Sequence, residues 1–154
     1  MYHYTMCGLD NVWLANGYTV YETPYGRGVS IHDADGLHRA LALRLADKPG
    51  RLTGKELRFL RTHLGLSQAG LAKMLDVTDQ AVSLWERTGR VPKSADTLIR
   101  MTVLAKLDGD RKIGEVIERI STVERMVSQR IVAREYRRRW TSTVQDAATE
   151  LTVA

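Results

Sequence analysis

The 154-residue chain contains little that could staple, break or anchor a fold. It has a single cysteine, Cys7, so no internal disulfide can form and no cysteine pair exists for a Cys-based zinc site. One unpaired thiol suits a reducing compartment, and the expected location is cytoplasmic. No stretch approaches the roughly 20 apolar residues that cross a bilayer, so no membrane span is expected. The start, Met1 to Thr5, lacks a basic segment leading into an apolar run, which argues against a secretory signal. There are only 3 prolines, and the 12 glycines are not clustered as in a low-complexity tract. With 44% hydrophobic and 27% charged residues, the chain can bury a core, which excludes a disordered tail. The length fits one domain or two very small ones.

What is present in excess is positive charge, and its placement says more than its total of +5. Residues 51–93 carry net +4 and residues 125–139 net +5, while the remainder is net negative. An anionic partner would be drawn to these two segments.

Residues 2–32 read as strand-rich, with β-branched and aromatic residues broken by Asn16-Gly17 and by Pro24 to Gly28. Asn16-Gly17, between Val12-Trp13-Leu14 and Tyr18 to Tyr21, predicts a hairpin. Residues 33–47 read as a helix capped by Asp33 or Asp35, with Leu37, Leu41 and Leu45 on one face. Lys48-Pro49-Gly50 ends it, because the residue before proline leaves the helical region. Thr53 and Glu56 form a capping box, and Leu57, Leu60 and Leu64 follow at helical spacing up to Gly65. Ser67 caps a second short helix through Leu75, and Thr78 a third through Arg87. A further helix spans Ala95 to Leu107. Ile113, Val116, Ile117, Ile120, Val123, Val127 and Ile131 follow 3–4 spacing and predict a long amphipathic helix.

Residues 57–89 resemble the helix-turn-helix of the XRE (Cro/cI-type) DNA-binding family, with Ser67-Gln68 and Trp85-Glu86 among the matching positions. Leu71, Ala72 and Leu75 supply the apolar face of the first helix of the motif. Val77 and Val82 are expected to plug the corner, with Trp85 sealing the far end, and Asp76 sits where a tight turn favours Gly, Asn or Asp. Thr78, Asp79, Gln80, Ser83, Leu84 and Arg87 are then left facing outwards on a helix that lies in the major groove. Gln80 suits the N6/N7 edge of adenine, Ser83 a base or phosphate, and Leu84 a thymine methyl. Asp79 is either a cytosine acceptor or a favourable charge at the helix N-terminus. The resemblance implies that Gln68 contacts backbone or base and that Arg61 and Glu86 form a structural ion pair. Lys73, Arg87, Arg90 and Lys93 are phosphate candidates.

Residues 1–50, including the runs 7–18 and 25–40, also look like regulators grouped with the MqsA/YgiT-type antitoxins. That resemblance implies a homodimer that represses its own operon and binds a cognate toxin. The chain departs from the zinc-binding members, which carry paired CxxC motifs where only Cys7 remains, so no metal is expected. It departs again at Leu84, where that branch is expected to carry a DNA-contacting arginine.

His32, His38, Asp33 and Asp35 read as helix capping and surface polarity, and no nucleophile–base arrangement has recognisable context. No enzyme activity and no cofactor are expected. Arg130, Arg134, Arg137, Arg138 and Arg139 form a candidate second basic surface for nucleic acid or an acidic partner. The expected fold is mostly α: a five-helix XRE-type unit, preceded by a small strand-rich N-terminal module and followed by a long C-terminal helix. The expected divisions are 1–50, 51–107 for the DNA-binding domain, 108–140 for a basic helix used in dimerisation, and 141–154 for a flexible tail. The expected function is a sequence-specific transcriptional regulator, a dimeric autorepressor on a palindromic double-stranded operator in the bacterial cytoplasm, nucleoid-associated when bound. The alternative is an antitoxin or antiactivator acting by binding a protein.

Overall fold

A computed structural model describes residues 1–107 and 129–146. Four strands come first: β1 (Tyr2–His3), β2 (Val12–Leu14), β3 (Tyr18–Thr23) and β4 (Gly26–Ile31). Five helices follow: α1 (Ala34–Asp47), α2 (Gly54–His63), α3 (Gln68–Leu75), α4 (Asp79–Thr88) and α5 (Lys93–Leu107). The chain then returns to strands, β5 (Gln129–Tyr136) and β6 (Arg139–Asp146). No helix among the described residues is long and apolar enough to cross a membrane.

The helices follow from local signals. Asp33 caps α1 by accepting from the Gly36 amide, and α1 ends at Asp47, ahead of Pro49. Leu37, Leu41 and Leu45 form its buried stripe. The capping box of α2 is complete: Thr53 Oγ1 accepts from the Glu56 amide and Glu56 Oε1 accepts from the Thr53 amide. Leu57 and Leu60, three residues apart, are fully buried.

A four-stranded sheet runs in the order β1-β2-β5-β6. β2 pairs with β5 in parallel, Val12 opposite Ile131 and Leu14 opposite Ala133, and the other two pairings are antiparallel. Those four side chains are buried in one core cluster with the α1 leucines. α1 packs against β5 and β6, and also against α2 and α5, so it lies between the sheet and the helices that follow. β3 and β4 form a separate hairpin.

Two expectations are corrected. The hairpin lies at Pro24-Tyr25, with Thr23 opposite Gly26, rather than at Asn16-Gly17. Asn16 instead prolongs the β2–β5 ladder with its side chain: Glu135 N donates to Oδ1 at 2.6 Å, and Nδ2 donates to Glu135 O at 3.1 Å. Gly17, at φ 78, lets the chain pass the Trp140 ring, into which a Cβ would project at 2.3 Å.

The long C-terminal helix is the larger correction. Residues 108–128, with most of the apolar stripe, lie outside the described residues. Residues 129–140 are not helical but form β5, a turn and the start of β6, and residues 141–146, expected in a tail, complete β6. The expectation of a mostly α chain therefore fits residues 34–107 but not the C-terminal strands. Ile131, Val132 and Ala133 are all buried, as in a strand covered on both faces, and β-branched Thr141, Thr143 and Val144 lie in the partner strand.

Candidate nucleic-acid interface

Short caps and tight turns build the interface. Ser67 caps α3 by accepting from the Gly70 amide at 2.9 Å. Asp76 ends it in the left-handed conformation at φ 55, where a short polar side chain is tolerated. Thr78 caps α4 by accepting from the Ala81 amide at 3.2 Å, and Gly89 closes it at φ 75. Two short helices thus meet across a turn of three residues, Asp76 to Thr78.

The inner surfaces are apolar and close. Leu71, Ala72 and Val82 are buried, and Trp85 packs on the core from its edge. Val77 does not plug the corner as expected: it is 38% exposed, and Val82 fills that role alone. On the other side α4 nearly touches the start of α2. A Cβ on Gly54 would lie 2.2 Å from the Glu86 carbonyl oxygen. Because the obstacle is backbone, Gly54→Ala is expected to cost about 1–3 kcal/mol by forcing the helices apart. Urea denaturation measures this, and an unchanged midpoint would show that α2 and α4 separate freely.

A polar clasp fixes the relative placement of three helices. Glu86 of α4 accepts from Arg61 Nε of α2 at 2.6 Å and from Gln68 Nε2 of α3 at 2.8 Å. Arg61 Nη1 also donates to Leu66 O at 2.9 Å, which holds the connection between α2 and α3. The ion pair implied by the resemblance is present, and Gln68 is its third member. Gln68 Nε2 keeps a second N–H that could reach a phosphate.

With the inner face committed, Thr78, Asp79, Gln80, Leu84 and Arg87 are exposed and Ser83 is half-buried. Asp79 Oδ1 accepts from the Gln80 amide at 3.1 Å, so in this structure it serves the helix's own N-terminus. Arg90 and Lys93 are exposed beyond the C-terminus of α4, and Lys73 is exposed on α3. Sequence reasoning missed the exposure of Met74 and Val77, since apolar periodicity assigns such residues to a core.

The second basic set is not on a helix. Arg130 lies 4.4 Å from the Trp13 ring centroid on the face of the sheet, and Arg134, Arg137, Arg138 and Arg139 gather at the end of the β5–β6 hairpin. The His/Asp cluster is divided. Asp33 caps α1, His32 Nε2 meets Thr19 Oγ1 at 2.8 Å, and His38 Nε2 meets the Tyr4 hydroxyl at 2.8 Å. No group of three or more potential metal ligands occurs among the described residues.

His38 and His63 also line an open groove of about 660 Å³ between the Met6–Gly8 loop and α2. Burial pushes both imidazoles below their usual range, and it pushes the Cys7 thiol up, so Cys7 is held as a protonated thiol.

Residues 57–104, from within α2 to within α5, match the model of the helix-turn-helix family. That is a family of DNA-binding regulatory domains rather than of enzymes. No curated protein and no solved structure matches the chain.

Proposed function

We propose, on the premise that residues 57–104 are an XRE-type helix-turn-helix domain and make the chain a DNA-binding regulator, that it is a sequence-specific dimeric autorepressor. The observation that carries this is the two-sidedness of α4. Its back is buried through Val82 and clasped through Glu86, while Thr78, Asp79, Gln80, Leu84 and Arg87 are exposed at a cationic margin. A face built for internal packing would not expose an amide, a hydroxyl and a methyl-rich side chain along one helix edge. In the major groove, Gln80 would read adenine and Leu84 a thymine methyl, while Gln68, Arg87, Arg90 and Lys93 would hold phosphates. Two copies would read half-sites about one helical turn apart on a palindromic operator.

Gln80→Ala is expected to weaken binding to the operator by about 1–3 kcal/mol and to leave binding to other DNA nearly intact. The test is a fluorescence-anisotropy titration against the chain's own upstream DNA and a scrambled fragment, with the protein's mass measured by light scattering. Equal losses on both fragments would remove the base-reading role. Weak and equal binding of the unaltered protein to both would turn the reading to an antitoxin or antiactivator that acts by binding a protein.

A further inference from the structure

The end of the β5–β6 hairpin combines backbone strain with charge that no carboxylate among the described residues pairs with. Arg137 and Arg138 both lie in the left-handed region, at φ 49 and 61, and form a two-residue turn closed by the pair Tyr136–Arg139. A turn with both central φ values positive favours Asn-Gly or Asp-Gly, and a long side chain at either position is held there against its own preference. The sequence places arginine at both.

Among the described residues this charge is not neutralised. Arg134, Arg137, Arg138 and Arg139 are exposed, and none has a carboxylate partner among the described residues. Glu135, the single acid among residues 134–139, is turned towards His32, whose Nδ1 lies 3.7 Å from Oε2. Tyr136 and Arg139 are directly opposite, and Arg134 lies two residues along, so the three share one face. The Arg137 guanidinium lies 5.2 Å from the centroid of the Tyr136 ring, which is 69% exposed.

The hairpin is held firmly from beneath. Trp140 Nε1 donates to Asp33 O at 3.1 Å and to His32 O at 3.2 Å, and the Asn16 amide clamps the Glu135 backbone on both sides. Residues held in an unfavourable conformation by a rigid surround concentrate where a partner is engaged.

We propose that this hairpin end is a second nucleic-acid contact that grips phosphates without reading sequence. Planar guanidinium forks match phosphate oxygens in paired hydrogen bonds. An acidic protein would require an apolar centre to anchor it, and among the described residues Tyr136 is the one large apolar side chain exposed there. The inference rests on the chain binding DNA, not on α4 reading bases.

The test replaces Arg137→Asn together with Arg138→Gly in the full chain, restoring the favoured turn while removing two charges. The expected result pairs a gain with a loss. The melting temperature rises by roughly 2–4 °C. Binding to a scrambled duplex weakens, and the slope of log affinity against log salt becomes shallower by about 1.8. Arg134→Gln with Arg139→Gln leaves the turn residues alone and should flatten the slope similarly. Gln80→Ala should leave that slope unchanged, which separates failure of this contact from failure of the base-reading role. An unchanged slope in both arginine variants overturns the proposal. So does a fall in melting temperature in the first variant, since the arginines would then be holding the turn. Loss of binding to polyglutamate with duplex binding intact would also overturn it and assign the surface to an acidic protein.

Discussion

Arg100→Ala is expected to lower the free energy of unfolding by about 3–5 kcal/mol, a fifth or more of the roughly 5–15 kcal/mol that a domain commands. The side chain is fully buried. Its Nη1 donates to Lys48 O at 2.7 Å, its Nη2 to Gly50 O and to Asp96 Oδ1, and its Nε lies 3.1 Å from Asp96 Oδ2. Asp96 Oδ1 also accepts from the Leu52 amide at 2.7 Å. Next to this cluster, Lys48 Nζ meets Glu56 Oε1 at 2.6 Å, again out of solvent. One guanidinium therefore satisfies the turning backbone between α1 and α2 and neutralises a carboxylate on α5. Burial lowers its pKa while Asp96 beside it opposes that shift, and arginine stays charged in either case. Alanine would leave Asp96 charged and unpaired, two carbonyls unsatisfied and a cavity. Urea denaturation measures the loss. Arg100→Met combined with Asp96→Leu should recover only the part due to the stranded charge and the cavity, because the Lys48 and Gly50 carbonyls and the Leu52 amide stay unsatisfied. A loss below about 1 kcal/mol in the single variant would show that water reaches the cluster, and would remove the argument that the loop is pinned from inside.

That cluster also shows where sequence reading stops. Thr53, Ser67, Thr78 and Gly89 act on amides and carbonyls within a few residues, so α2 to α4 could be placed from the chain alone. Pro49 marks the end of α1 for the same reason, but nothing local reveals that Lys48 and Gly50 are buried against α5. Non-local pairing defeated the reading more completely at the sheet. Ile131 pairs with Val12 from the far end of the chain, and a parallel partner leaves no local turn signal. Val127 and Ile131 are four apart, which continues a helical stripe as readily as it begins a strand. The turn at Arg137-Arg138 lacks the residues by which such turns are recognised. Asn16-Gly17 has those residues, yet the side chain is spent on Glu135 and the glycine on Trp140. The exposed edge of α4 was legible because one buried face of a helix fixes the other. The clasp at Glu86 came from resemblance, since no periodicity reports a partner 25 residues away.

The clasp yields the second large effect. Glu86→Ala is expected to cost about 2–4 kcal/mol and to weaken operator binding more than tenfold, although Glu86 faces away from the exposed edge of α4. The side chains of Arg61 and Glu86 are only 12% and 6% exposed, so the pair is not a solvated surface bridge worth a fraction of a kcal/mol. Without the carboxylate, Arg61 Nε and Gln68 Nε2 lose their acceptor in a site that water barely reaches. The loss of binding follows from geometry. Glu86 is the point where α2 and α3 are tied to α4, and a major-groove reader loses contacts when its helices shift by about 1 Å. Glu86→Gln keeps the shape and one carbonyl acceptor, so it should cost less in both measurements. Arg61→Leu with Glu86→Leu removes the stranded charge, and should regain stability without regaining affinity, because Gln68 and the α2–α3 connection remain untied. Denaturation and anisotropy on the three variants separate the two roles. If the double leucine variant binds the operator as tightly as the unaltered chain, apolar packing alone sets the helix positions, and the clasp contributes to stability and not to recognition.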